Sequence, residues 1–224
     1  MRIAHASDTH SNPKIIAAVA DAECDLIVLT GDILNNAGRI NGNGIEARRE
    51  IRYQMRWARH AAKLWAPAFR GREVLIVGGN HDFISIGAWL RHYKHPAEKF
   101  HEITAANPCV NINGIRFAGF REVPYMNGEW MGEEHDMATP VQRAMECDPD
   151  VLVTHAPPAG ILDECFEGVG YGVVPLTTWL TYRPHGVKAH FFGHAHKSGG
   201  QSIEQMGIRF FNGACHLAVH EVEV

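Results

Sequence analysis

"AHFFGHAHKSGG", residues 189–200, is the stretch on which the reading of the whole chain turns. An apolar run closes at Gly193, and His194 and His196 follow with one residue between them. A short bulky apolar run bounded by glycine reads as a strand buried on both faces. Two imidazoles immediately beyond it are either a pair of metal ligands or an accident in a chain carrying 15 histidines. The other strand ends decide between these.

Four more runs share this form: "RIAHA" (2–6), "DLIVLT" (25–30), "EVLIVG" (73–78) and "DVLVTH" (150–155). Between them lie helical patterns at 13–23, opened by Pro13 behind Asn12, and at 45–65, with Ile51, Met55, Ala58, Ala62 and Trp65 at spacings of three or four. Asn113-Gly114 between alternating segments predicts a hairpin over 109–120, and Gly207 predicts a second over 202–213. The polar stretch 123–140 reads as a long loop, and the region around His92, His95 and His101 as a polar linker. Strands alternating with helices give an α/β architecture, and the absence of repeats or Pro/Ser-rich linkers gives one domain over 1–224.

Composition excludes several classes. Hydrophobic residues make up 46% and charged residues 21%, as in an ordinary globular chain with a core. A net charge of -4 gives no overall basic footprint for a polynucleotide, although a local groove can hide in the average. Five scattered cysteines form neither a disulfide framework nor a zinc knuckle. "MRIAHASDTH" lacks a signal-peptide core, and no run is long enough to span a membrane. A cytoplasmic protein is the expectation.

Each buried run ends in groups that bind metals. These are Asp8 and His10, then Asp32, then Asn80 with His81 and Asp82, then His155, and finally His194 and His196. Ligands gather beyond the carboxyl ends of strands in open α/β sheets, so residues far apart in sequence can converge there. Carboxylate, imidazole and amide oxygen together suit Mn²⁺, Fe²⁺, Zn²⁺, Co²⁺ or Ni²⁺ better than Mg²⁺ or Ca²⁺. Asp8, His10, Asp32, Asn80, His155, His194 and His196 are too many for one ion and fit two that share a carboxylate.

The ordered set D-x-H, G-D, G-N-H-D, H, G-H-x-H resembles the calcineurin-like metallophosphoesterase superfamily over residues 8–196. The resemblance implies a layered sandwich of two mixed β-sheets flanked by α-helices. It implies one ion on Asp8, His10, Asp32 and His196, and a second on Asp32, Asn80, His155 and His194, with Asp32 bridging. It also implies hydrolysis by a metal-bridging hydroxide, manganese being the favoured ion. His81 would stabilise the phosphate or protonate the leaving oxygen, and Asp82 would orient His81 or take part directly. Gly193, with no Cβ to obstruct the bend, would let the backbone turn sharply just before the two ligands.

"GDILNNAG" and "GNHDF" depart from the protein-phosphatase forms G-D-x-V-D-R-G and G-N-H-E. "THAPPAGILDE", "GHAH" and "FNGA" are more similar to small phosphodiesterases of the superfamily. A phosphodiesterase acting on a nucleotide or other small diester is therefore the first reading. A phosphomonoesterase, a metal-dependent nuclease and a non-enzymatic scaffold are the alternatives. The segments 123–140 and 163–175 would shape the pocket. Tyr125, Trp130 and Tyr171 read as surface aromatics or as a stacking face for a base. His60 reads as solvated, and His216 and His220 as an exposed strand face, with His216 a candidate for the pocket wall. The run 46–59 reads as a solvated helix face with i, i+4 Glu–Arg pairs.

Overall fold

A computed structural model describes residues 1–38, 46–93, 97–124 and 131–223. The apolar runs form the centres of two sheets. The first contains β1 (Arg2–Ala6), β2 (Leu26–Thr30), β3 (Glu73–Val77) and β4 (Lys99–Ile103), all parallel. The second contains the hairpin β5 (Cys109–Ile112) and β6 (Ile115–Phe120). Two short strands, β7 (Val123–Pro124) and β8 (Met131–Gly132), pair with each other. Then come β9 (Val151–Thr154), the small hairpin β10 (Glu164–Phe166) and β11 (Val169–Gly170), and β12 (Ala189–Phe192). A last hairpin, β13 (Ser202–Gln205) and β14 (Ile208–Asn212), precedes β15 (Leu217–Glu221). The first sheet runs β15-β1-β2-β3-β4 and the second β13-β14-β12-β9-β6-β5. Antiparallel strands cap one edge of the first sheet (β15) and both edges of the second.

Alternation along the strands explains the layering. In β2, Leu26 and Val28 face the second sheet and meet Phe117, Val153 and Phe191, while Ile27 and Leu29 face the helices. The helices there are α1 (Pro13–Asp21) and α2 (Ala47–Phe69), with α3 (Ile86–His92) beside them. On the far side α4 (Ala138–Met145) and α5 (Val174–Tyr182) cover Leu152, Phe192 and Phe210. The result is four layers, helix–sheet–sheet–helix, the expected two-sheet sandwich. Among the described residues no helix is long and apolar enough to cross a membrane.

Several details differ from the sequence reading. The stretch read as a polar linker contains β4, an edge strand whose only fully buried side chain is Ile103. With so little burial it carries no apolar run, and its His101 instead meets Glu73 at 2.9 Å. The stretch 123–140 holds β7, β8, a 3₁₀ turn at Glu134–Met137 and the start of α4; Tyr125 and Trp130 lie outside the described residues. Helix α2 buries Glu50, Gln54, Ala58, Ala61 and Trp65, and Met55 is exposed, so its inner face is rotated from the expected stripe. His220 is not a plain surface group, since its ring lies 4.1 Å from that of Phe211. His216 is exposed and does not line the pocket described below.

Phe191 stacks on Phe211 at 4.8 Å between the sheets and is fully buried. Phe191→Ala should cost about 3–5 kcal/mol, the usual range for an aromatic removed from a packed core. A urea titration followed by circular dichroism checks it through a lowered midpoint.

Candidate metal centre

The loops after β1, β2, β3, β9 and β12 meet at one end of the sandwich. Ser7 forms a bridge to Ala214, joining the sheets there, and the amide of Asp8 donates to the Gly31 carbonyl at 3.0 Å. Asp8, His10, Asp32 and His194 all adopt left-handed backbone angles, with φ between 41° and 64°. Such conformations cost of order 1–3 kcal/mol each and persist only where surroundings fix them. Here the fixing bonds are visible. Asp8 Oδ2 accepts from Ser7 Oγ at 2.7 Å and from the His194 amide at 2.8 Å. Asp32 Oδ1 accepts from the His81 amide at 2.8 Å.

Gly193 is outside the left-handed region, so its freedom there is not one of φ. Its value is room: a Cβ there would collide with Ser7 and Asp8. Gly79 is similar, because a Cβ would strike Asp32 and His155.

The structure brings the predicted residues together. Asp8, His10 and His196 each offer a ligand atom within 4.8 Å of the others, and so do Asp8, Asp32 and His155. Asp32 presents Oδ2 at 3.9 Å from His10 Nε2 and Oδ1 at 3.4 Å from His155 Nε2, so one carboxylate faces both groups. Asn80 Oδ1 is 3.0 Å from His155 Nε2. The His194 ring lies 5.0 Å from that of His155, and its buried Nε2 has no hydrogen-bond partner. His81 packs edge-on to His10 at 5.5 Å and lines the same cleft of about 200 Å³.

Hydrogen bonding tests whether a metal fits. The Thr30 carbonyl accepts from His155 Nδ1 at 2.6 Å, so that nitrogen carries the proton. His155 Nε2 faces two oxygens, Asn80 Oδ1 and Asp32 Oδ1. Without a metal a proton on Nε2 satisfies them; with that proton removed, the three electron-rich atoms converge as a divalent cation would need. A backbone carbonyl holding the far ring nitrogen is also the support that metal-binding histidines usually have.

The charges agree. Burial pushes Asp8 and Asp32 toward the neutral acid, but neighbouring histidines overcome it, holding Asp8 at about 2 and Asp32 well below the carboxylate range. Burial pulls His155 down, yet Asp32 and then Asp8 raise it to about 9. Bonds to Asp8 and Cys215 raise His196 to about 11. Burial, then the charge of His155, lowers His194 to about 3, leaving a bare donor nitrogen. Two buried carboxylates without a metal thus draw protons onto the adjacent imidazoles, and divalent ions would replace those protons.

Asp82 has a different place from the expected one. Its carboxylate accepts from the amides of Ile33, Leu34 and Gly79, each at 3.0 Å, and so ties the loop after β2 to the loop after β3. Burial, reinforced by the charge of Asp32, pushes it up to about 7. His81 Nδ1 has no hydrogen-bond partner, while the His81 carbonyl accepts from Asn36 Nδ2 at 3.1 Å and Gln54 Nε2 at 2.6 Å. The backbone, held by Asn36 and Gln54, positions His81.

Sequence reasoning missed Cys165 and Phe166, which wall the cleft from β10. No motif marks them; only the segment 163–175 was flagged. Lys197, beside His196, fastens that hairpin through Glu164 at 2.9 Å.

Loops of a two-sheet α/β sandwich that gather carboxylates and imidazoles in this way form a candidate centre for divalent metal ions. A family model described as calcineurin-like phosphoesterase matches residues 1–198. The chain belongs to this family, whose members are metal-dependent phosphoester hydrolases. One solved structure aligns at a TM-score of 0.67 and 14% identity, covering 95% of this chain and 90% of its own, and so shares the fold. No curated protein matches the chain.

Because His155 and His196 hold protons at neutral pH in the metal-free protein, ligation must displace them. Mn²⁺ binding near pH 7 should therefore release up to two protons, and affinity should rise with pH across this range. Calorimetry in buffers of different ionisation enthalpy reads the number released.

Proposed function

We propose that the protein is a phosphodiesterase with two divalent ions, the favoured ion being manganese. One ion would be held by Asp8, His10, Asp32 and His196, the other by Asp32, Asn80, His155 and His194. Bound there, divalent ions would supply a deprotonated water as nucleophile near neutral pH and offset charge on the phosphate oxygens. The chain supplies the rest. Asp8 and Asp32 carry the negative charge that holds the cations, and the Thr30 carbonyl keeps His155 in the ligating tautomer. His81, kept neutral by burial, lines the cleft, where its ring N–H would donate a hydrogen bond to a phosphate oxygen as charge develops there. Asp82 acts through the loops it joins and is a positioning residue.

The observation that carries the diester reading is the composition of the cleft wall. Among the described residues Asp8, Asp32, Asn80, His81, Cys165, Phe166, His194 and His196 line it, with no lysine or arginine. A monoester dianion gains more from cationic side chains beyond the metals than a singly charged diester does. Phe166 adds a 59% exposed ring at the rim, set edge-on to Tyr171, which offers a flat apolar face to a base or aryl group.

Protein stripped of metal and resupplied with Mn²⁺ should cleave bis-p-nitrophenyl phosphate faster than p-nitrophenyl phosphate. His194→Ala should abolish both activities. Faster monoester cleavage contradicts the diester assignment. His81→Ala should lower kcat by about 10²–10³-fold, the span of one lost hydrogen-bond donor to developing charge, with metal content unchanged. Unaltered kcat removes His81 from the reaction.

A further inference from the structure

Helix α2 carries six cations, Arg48, Arg49, Arg52, Arg56, Arg59 and Lys63, and a single carboxylate, Glu50. At about 100° per residue, with Arg48 at zero, Arg59, Arg52, Lys63, Arg56 and Arg49 follow at about 20°, 40°, 60°, 80° and 100°. All six cations thus fall within one narrow arc. They extend over about 22 Å of helix, taking a rise of about 1.5 Å per residue.

The expected Glu–Arg pairs are absent. Glu50 is buried and accepts from the Ala37 amide at 2.7 Å instead of pairing with an arginine. Among the described residues, none of the six cations takes part in an ion pair. Arg49 donates to the carbonyls of Gly38 and Ala37, while Arg48, Arg52, Arg56, Arg59 and Lys63 are exposed. In a chain of net charge -4, an unneutralised cationic stripe is a local feature with a direction.

The stripe borders the metal centre. Arg49, Arg52, Tyr53 and Arg56 form a cleft of about 300 Å³ with Asn36 and Ala37. Asn36 is the residue whose amide holds the His81 carbonyl, so the cleft and the metal pocket share the loop that leads on from Asp32. A concave site with three guanidinium groups around a tyrosine ring suits a sugar-phosphate chain, where cations track the backbone and an aromatic face takes a base. A flat bilayer cannot enter such a cleft.

We propose that this face of α2 binds the backbone of single-stranded nucleic acid and leads it to the metal centre. This deepens the phosphodiesterase reading by naming its substrate class, and rests on that reading for cleavage alone.

The test is fluorescence anisotropy of a labelled phosphorothioate oligothymidylate with the Mn²⁺-loaded protein across a salt series. Bis-p-nitrophenyl phosphate hydrolysis is measured on the same samples. Three phosphate contacts predict a log–log salt slope of about −2, or roughly twentyfold weaker binding from about 50 to about 200 mM salt. The double variant Arg52→Gln/Arg56→Gln should flatten the slope to about −0.7 with diester hydrolysis unchanged. Arg52→Gln alone should give an intermediate slope of about −1.4. Salt-insensitive binding, or variants that bind as the wild type does, overturn the proposal. So does tighter, equally arginine-dependent binding to phosphatidylserine vesicles. Absence of bis-p-nitrophenyl phosphate turnover in the wild type would instead defeat the phosphodiesterase reading, with strand binding still read independently.

Discussion

Asp8 and Asp32 sit at one end of the sandwich with 2% and 1% exposure, close enough that each bears on the other's charge. Two ionised carboxylates in a buried position are costly unless positive charge and hydrogen bonds compensate them. Most of the local architecture answers that requirement. The Ser7 hydroxyl and the amides of His81 and His194 donate to their oxygens, and four imidazoles lie around them. The glycines that let these segments approach, Gly79 and Gly193, lie where any Cβ would intrude on the same carboxylates. The metal-binding chemistry and the left-handed backbone at Asp8, Asp32 and His194 are two consequences of one electrostatic constraint.

A second tier of groups fixes the first without touching substrate. Asp82 joins the two loops that bear Asp32 and Asn80, and Gln54 and Asn36 hold the His81 carbonyl. Two of these, Gln54 and Asp82, are buried polar side chains. Each therefore stabilises the fold only while its bonds are made, so loosening this tier is expected to disturb catalysis and stability together. The same tier explains why α2 turns Glu50 and Gln54 inward: its first turns pack on polar loop ends, and only from Ala58 onward does it face apolar sheet.

This division accounts for what could be read from sequence. Strands buried on both faces announced themselves as continuous apolar runs, and their ends gave the ligands in order. Strand β4 was hidden because an edge position asks for little apolar surface, as its exposed Lys99 and half-buried His101 illustrate. The stripe on α2 was misjudged for a related reason. Spacing permits Glu–Arg pairs at i, i+4, but the Ala37 amide in the loop after β2 claims Glu50. The need for no Cβ at Gly193 is legible in the sequence, but the Ser7 and Asp8 side chains it would strike belong to a distant strand end and leave no local signature. The carbonyl of Thr30, which sets the tautomer of His155, belongs to the backbone and has no signature in the sequence.

In the proposed two-metal site Asp32 would lie between two cations held by the surrounding histidines. Anomalous diffraction from crystals of the protein loaded with Mn²⁺ decides this. Two peaks about 3.5–4 Å apart are expected, with Asp32 bridging them, His10 and His196 on one ion and His155 and His194 on the other. A single peak, or two peaks bridged by any group other than Asp32, would contradict it.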